Sequence, residues 1–218
     1  MRGVFVETAA LFDARVEQCV TLAQSRGIDV WAVEEATLVR VTSTKSSQGI
    51  AAVADGRPGG LEDLPAGADF VLVGVDINDP GNAGTMMRSA VAAGADAVVL
   101  AGDCVDPTNP KTIRASAGAF FKVPIIVHDD VPAALAAIQA HGLRLLGAAG
   151  EATSGCHEVD LSEPVAIVLG SEAHGLSEAA RAALDIEVRI PMPGPVESLN
   201  VAMAGAILAY EVTRQRSA

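Results

Sequence analysis

The 218-residue sequence predicts an α/β fold, a parallel sheet flanked by helices and preceded by a small α/β domain, and three observations carry that prediction. From Phe70 onward, short β-branched runs alternate with helical patterns, and strands joined by helices are the signature of a parallel sheet. The runs FVLVGVD, AVVLAG and EPVAIVLG are apolar almost throughout rather than alternating, as expected of strands covered on both faces. Half of the residues are hydrophobic but only 3% are aromatic, so the core is built from small aliphatics that suit close packing of helix on sheet.

Taken in order, GVFVE (Gly3 to Glu7) reads as a strand and Leu11 to Arg26 as a helix stopped by Gly27. IDVWAV reads as a strand, EEATLVRV as a short helix and Gly49 to Ala54 as a further strand. Residues 1–54 are therefore expected to form a first domain. Asp55 to Asp69, DGRPGGLEDLPAGAD, concentrates glycine, proline and acid and is the expected linker. Residues 70–218 form the expected second domain. Its strands are FVLVGVD, AVVLAG, VPIIVH, LRLLGAA, EPVAIVLG and IEVRIPM; its helices are Gly81 to Ala93, Pro110 to Ala117, Val131 to His141, Ser177 to Leu184 and Ser198 to Arg214.

Composition excludes several classes. No apolar run reaches the length of a membrane span, and Glu7 and Asp13 interrupt the N-terminus where a signal peptide needs an apolar stretch, so a cytoplasmic location is expected. Cys19, Cys104 and Cys156 are widely spaced, which suggests neither disulfides nor zinc, and the four histidines lack metal-ligand spacing; no metal is expected. Cys156 and His157 are adjacent, but chain neighbours seldom point together. The formal net charge of −12 argues against nonspecific nucleic-acid binding by the whole surface. It leaves room for a local basic patch, for which Arg40, Lys45, Arg88, Lys111, Arg114 and Lys122 are the available cations. Lys111 and Arg114 lie one turn apart and suit phosphates; the plainer reading is a solvated helix face.

Parallel sheets bind ligands beyond the carboxyl ends of their strands, so the loops after strands are the candidate sites. The first is DINDPGNAGTMMRSAVAAGAD, Asp76 to Asp96. Asn78, Asp79 and Asn82 are cap-type residues, Gly81 and Gly84 let a ligand approach the backbone, and Arg88 follows Asn82 by six residues. The plainer reading is a helix cap and a surface arginine. No GxxxxGK[ST] or GxGxxG is present, so the Walker and dinucleotide-binding fingerprints are missing. The second loop, VLGSEAHGLSE, sets Glu172 between Gly170 and Gly175, with Ser177 as the next N-cap; its carboxylate would orient a ligand, or simply be solvated in a turn. The third, PMPGPVESLNVAMAGAILAYE, has Pro191, Pro193 and Pro195, which fix φ and remove donors, so the loop keeps one shape without sheet or helix to hold it. Ser198 is the expected cap of the last helix, with Asn200 in its first turn and Met192 and Leu199 as apolar walls.

The segments NDPGNAGTMMRSAVAAGAD, IVLGSEAHGLS and IPMPGPVESLNVAMAGAILAYE, in this order on strand-end loops, resemble the three motifs of the SpoU (TrmH) family of RNA ribose 2′-O-methyltransferases, in the SPOUT class. The resemblance spans Val71 to about Arg214. Residues 1 to 54 resemble part of the ribosomal-protein-like domain that many members carry in front to bind substrate. By this resemblance the second domain ends in a deep trefoil knot, and the proline-rich loop wraps S-adenosylmethionine. Backbone groups of Gly170, Ile190 and Leu199 are implied to hold the adenosyl part with Met192 beside them. Arg88 is implied as the central catalytic residue, with Asn82, Glu172, Ser198 and Asn200 positioning it and the substrate.

The implied chemistry is in-line attack of a ribose 2′-oxygen on a sulfonium methyl, in which alignment supplies much of the rate. Arginine is a poor base, because a guanidinium releases its proton only above about pH 12; Arg88 is thus either deprotonated by a neighbouring RNA phosphate or stabilises a developing alkoxide. The front domain is shorter than the family's, which usually has a further helix and basic residues ahead of the position of Met1, so either truncation or a variant start is expected. A homodimer is also implied, and Val201, Ala202, Ala204, Gly205 and Leu208 offer a small apolar helix face for it; the alternative is burial against the chain's own sheet. The front domain favours ribosomal RNA over transfer RNA. Two rival classes are a noncatalytic ribosome-binding module on the same fold and a nicotinamide-dependent oxidoreductase, which the missing glycine fingerprint disfavours.

Overall fold

The computed structural model describes residues 1–42, 46–171, 174–196 and 198–217, which divide into two compact units, Met1–Gly56 and Arg57–Ala218. Lys45 and Glu172, both singled out above, lie outside the described residues.

In the first unit, β1 (Gly3–Glu7) lies between β2 (Val30–Val33), which is parallel to it, and β3 (Ile50–Val53), which is antiparallel. Helix α1 (Ala14–Ser25) follows a 3-10 turn over Thr8–Phe12, and α2 (Thr37–Thr42) precedes β3. The helix starts later than Leu11 because Asp13 caps it, its side chain accepting the Arg15 N–H at 2.8 Å. Phe5 and Trp31, paired across β1 and β2, stack with ring centroids 5.0 Å apart.

The second unit is a seven-stranded sheet of parallel strands. Its strands are β4 (Phe70–Val75), β5 (Ala97–Ala101), β6 (Ile125–His128), β7 (Arg144–Ala148), β8 (Ser154–Gly155), β9 (Val165–Leu169) and β10 (Ile186–Arg189), in the spatial order β6-β5-β4-β9-β7-β10-β8. The helices are α3 (Pro80–Ala92), α4 (Pro110–Ala115), α5 (Val131–Ala140), α6 (Glu178–Ala182) and α7 (Val201–Arg216). Side chains of β4 alternate between two cores. Phe70 and Leu72 join Met86 and Met87 of α3 and Leu208 and Val212 of α7; Val71, Val73 and Val75 join Leu135 and Ile138 of α5 and Ala180 of α6. Burial on both faces explains the unbroken apolar runs, and each fully buried Leu, Ile or Met contributes roughly 1.5–3 kcal/mol.

Side chains of Asp79, Asn109, Asp130 and Ser177 cap α3, α4, α5 and α6, and a proline stands at the first or second position of the first three of these helices. The expectation that Ser198 caps the last helix is corrected. Helix α7 begins at Val201, and Asn200 is its cap, with Oδ1 accepting the N–H groups of Ala202 and Met203 at 3.0 and 3.3 Å. The far end of α7 is tied beneath the sheet: Arg216 pairs with Asp69 at 2.7 Å and donates to the carbonyl oxygens of Asp69, Leu161 and Glu163.

Part of the glycine-rich stretch read as a linker packs on the second unit. Gly59 bridges to Ile126 at the β6 edge, and Leu64 and Ala68 are buried. The small residues of α7 are also buried, Val201, Ala202, Gly205 and Leu208 all facing the chain's own core. The exposed apolar stripe of that helix is instead Met203, Ile207 and Tyr210. Among the described residues no helix is long and apolar enough to cross a membrane.

Strand β9 enters between β4 and β7, both laid down before it. The sheet order therefore reverses beside β4, and the loops that follow β4 and β9 open onto the resulting crevice, where ligands of open α/β sheets bind.

Candidate active site

The loops after β7, β9 and β10, with the first turn of α7, enclose a cleft of about 570 Å³, within the ordinary range for small-molecule sites. Ala148, Ala149 and Gly150 form one wall, and Gly170, Ser171 and Gly175 form another. Ile190 and Met192 come from the loop after β10, and Ser198, Leu199 and Asn200 from the approach to α7. A second cleft, also of about 570 Å³, adjoins it through Ser171, His174, Gly175 and Val201 and extends to Asp76, Asn78, Asp79 and Asn82 after β4.

Local backbone chemistry shapes these walls. Beyond β9 the chain doubles back at once: the Gly175 N–H donates to the Ser171 carbonyl oxygen at 2.8 Å, and Gly175 has φ +65°, a region that favours glycine. A Cβ on Gly170 would stand 2.2 Å from the Gly175 carbonyl carbon and 2.4 Å from the Leu176 nitrogen, so only glycine fits there. After β4, Asp76 adopts φ 54° and its Oδ1 accepts the Asp103 N–H at 2.9 Å. Aspartate tolerates that conformation better than most residues, and the chain turns there toward Asp79 and α3.

Among the described residues, the first and third loops meet where Asn200 Nδ2 donates to Asn82 Oδ1 at 2.9 Å across 118 residues of sequence. Both asparagines also hold helix starts in place, since Asn200 caps α7 and the Asn82 N–H donates to the Asp79 side chain at 2.8 Å. Of the expected site residues, Gly170, Ile190, Met192, Ser198, Leu199 and Asn200 line the first cleft, and Asn82 lines the second. Arg88 lines neither; it is exposed on the outer face of α3 and forms no ion pair among the described residues. Gly84 does not face a ligand either. It is the contact point of α3 with α4, where a Cβ would lie 2.5 Å from Ala115 Cβ.

Sequence reasoning missed the wall after β7 and its fastening. Arg181, on α6, lines the cleft and pairs with Glu151 at 2.5 Å and with Glu187 of β10 at 3.1 Å. The Arg181 guanidinium holds the Glu151 carboxyl below its usual range. Such an exposed pair adds only about 0–1 kcal/mol of stability; its effect is to tie the 148–151 wall to β10. The signal for that wall is GAAGE directly after an apolar strand run; nothing in the sequence marks Arg181.

The cleft suits an adenosyl group. Ala148, Ala149, Val188 and Ala204 leave room for a flat ring, and Gly170, Ile190 and Leu199 stand on its walls. Among the described residues, no group of three His, Cys, Asp or Glu side chains is arranged to hold a metal.

Comparison with known proteins agrees with this geometry. The model of the SpoU rRNA Methylase family matches residues 69–210. The chain belongs to that family. A second model, RNA 2′-O ribose methyltransferase substrate binding, matches residues 2–58. The chain is 36% identical over 223 residues to the 23S rRNA (guanosine-2′-O-)-methyltransferase RlmB of Xanthomonas axonopodis pv. citri, covering 99% of this chain and 89% of that one. Among solved structures it is similar to the SpoU methyltransferase AviRb of Streptomyces viridochromogenes in complex with AdoMet (TM-score 0.86, 26% identity, covering 99% of this chain and 83% of that one). It is also similar to the TrmH/SpoU tRNA modifying enzyme of A. aeolicus, which covers only 69% of this chain and matches over 76% of its own length (TM-score 0.62, 25% identity). As a SpoU family member with both domains, the protein is an S-adenosylmethionine-dependent RNA 2′-O-ribose methyltransferase.

Proposed function

We propose that this enzyme methylates the 2′-hydroxyl of a guanosine in 23S ribosomal RNA, in the cytoplasm and as a homodimer. The observation that carries the reading is the Asn82–Asn200 hydrogen bond, which joins the α3 loop to the α7 loop at the meeting of the two clefts. The match of residues 2–58 to a substrate-binding domain supports ribosomal over transfer RNA, and so does the likeness to RlmB along nearly the whole chain. The division of the domains at 54 and 69 belongs to the same proposal, as does a knotted path for the chain after β9. The insertion of β9 between two earlier strands supports that path, as does the convergence of the 170–175 turn and the 190–200 loop on one cleft.

S-adenosylmethionine supplies an electrophilic sulfonium methyl. Main-chain groups of Gly170, Ile190 and Leu199 would hold the adenosyl part, with Met192 as an apolar wall. Ser198, Asn200 and Asn82 orient the ribose, and Glu172 assists them. With the cofactor bound, the ribose 2′-oxygen would take the methyl as the carbon–sulfur bond breaks, and the hydroxyl proton would leave to solvent. Arg88 lies six residues beyond Asn82, about 9 Å along the helix axis at 1.5 Å per residue. Helix side chains lean toward the N-terminus, which is the cleft end of α3; in this reading the Arg88 guanidinium, which lines neither cleft, reaches toward the attacking oxygen and stabilises its negative charge.

Dimerisation through α7 rests on the stripe of Met203, Ile207 and Tyr210, which are 49, 40 and 67% exposed and share one helix face. The substrate is tested with methyl-labelled S-adenosylmethionine offered to unmodified 23S rRNA and to bulk tRNA, followed by nucleoside analysis. 2′-O-methylguanosine from the rRNA alone supports the reading. Label in tRNA alone, or on another nucleoside, contradicts it.

A further inference from the structure

We propose that the outer face of α3 together with the α4–Lys122 segment forms an RNA-binding surface, in which Phe121 stacks on an unpaired base and Lys111, Arg114 and Lys122 meet the flanking phosphates. The inference rests on the RNA-methyltransferase reading and deepens it by assigning where substrate outside the cleft is held.

The charge pattern is the first support. The chain carries 27 acidic and 15 basic residues, yet residues 80–95 and 107–128 contain no Asp or Glu and four of the Lys and Arg residues. These two stretches pack on each other: a Cβ on Gly84 would lie 2.5 Å from Ala115 Cβ and 2.7 Å from the Thr112 carbonyl oxygen. Arg88 is one helical turn beyond Gly84 and so shares its side of α3. Arg88, Lys111, Arg114 and Lys122 are all exposed, and none forms an ion pair among the described residues. Elsewhere Arg2, Arg15, Arg181, Arg214 and Arg216 are each paired with a carboxylate, while Arg26, Arg40, Arg57, Arg144 and Arg189 form no ion pair among the described residues but, Arg144 apart, lie in stretches that also carry acids. In so acidic a chain, unpaired cations on two acid-free segments that pack on each other concentrate the attraction for a polyanion.

Phe121 is the second support. It is 62% exposed, whereas its neighbour Phe120 is 8% exposed and sits in the core. The two rings meet edge to face, with centroids 5.1 Å apart and an interplanar angle of 83°, so the buried ring props the exposed one in a fixed orientation. The turn leading to them holds Ala117 at φ 47° and Gly118 at φ 86°. For alanine this conformation costs about 1–2 kcal/mol, a strain that goes with presenting Phe121 outward. An exposed aromatic face in a segment that carries unpaired cations is the combination by which proteins hold single-stranded nucleic acid. A second copy of the chain fits the face less well, because a two-fold contact would set the cations against themselves.

The test measures RNA binding and methyl transfer by the full chain on unmodified 23S rRNA at several salt concentrations. A triple variant, Lys111→Gln, Arg114→Gln and Lys122→Gln, is expected to reduce the slope of log K against log salt by about 2 and to raise KM for RNA, with kcat and S-adenosylmethionine affinity unchanged. Phe121→Ala is expected to weaken RNA binding roughly tenfold, and Phe121→Trp to restore it. Wild-type slope and KM in these variants, on an RNA that the wild type methylates, overturn the surface and leave the proposed function standing. Loss of dimer in the variants reassigns the face to a subunit contact and overturns it equally. A wild type that neither binds nor methylates rRNA overturns the proposed function first and removes the ligand of this surface with it.

Discussion

The side chain of Asn200 divides its two ends between tasks, Oδ1 accepting the N–H groups that open α7 and Nδ2 donating to Asn82. Asn200→Asp separates them, because aspartate keeps a capping oxygen and suits a helix N-terminus but has no donor for Asn82. A melting temperature within a few degrees of wild type is expected, with methyl transfer reduced tenfold or more; undiminished transfer would detach the pair from catalysis. Glu211 gives a second prediction. The Arg214 guanidinium beside it, with help from Gln215, holds its carboxyl down to about 2 from an ordinary 4.5. A lowered native value stabilises the fold above about pH 4.5 and ceases to do so as pH falls toward 2. Glu211→Gln is therefore expected to flatten the acid arm of the stability curve, removing about 1 kcal/mol of its pH dependence, since Arg214 is half exposed. Equal acid sensitivity in variant and wild type would contradict this. At this scale the sequence was legible as residue types in loops but not as partners. Ser198 and Asn200 are both cap-type residues two positions apart, and the choice between them depends on where the loop closes on Asn82.

At the scale of elements, α3 and α4 touch through Gly84. An added Cβ there would meet the Thr112 carbonyl oxygen at 2.7 Å and the Ser116 nitrogen at 2.8 Å, both backbone atoms that cannot swing aside. Gly84→Ala is expected to cost about 1–3 kcal/mol, seen as a melting temperature lower by several degrees; an unchanged value would show that the two helices can part freely. Gly170→Ala acts on function instead. The turn from Ser171 to Gly175 must open to admit the methyl, and S-adenosylmethionine binding is expected to be lost in calorimetry while the protein stays folded. Retained affinity would place the cofactor elsewhere. The long strands and helices are legible because burial on both faces leaves unbroken apolar runs, and because Asp79-Pro80 and Asn109-Pro110 mark helix starts. Strand β8, of two residues, is too short to carry a pattern. The role of Gly84 was not legible, because a glycine that lets a ligand approach and one that lets a helix approach look alike in sequence.

For the whole molecule, periodicity yields strands but not their neighbours, so the order β6-β5-β4-β9-β7-β10-β8 was not legible in the sequence. The same holds for the clefts, whose walls come from loops that the chain visits far apart. The small residues of α7 fit a helix contact on either side, and only the structure shows that they are buried at home while Met203, Ile207 and Tyr210 face out. Ile207→Glu is thus expected to leave the fold intact and yield a monomer in sedimentation; a dimer that persists would move the interface away from this stripe. The central claim is that the three loops build one catalytic site in which Arg88 serves the chemistry rather than cofactor binding. The most direct measurement is methyl transfer from S-adenosylmethionine to unmodified 23S rRNA by the wild type and by Arg88→Ala, with cofactor affinity measured on both. Label in 2′-O-methylguanosine that disappears in the variant while affinity is retained is the predicted result. Undiminished label in Arg88→Ala, or none with the wild type, would contradict the account.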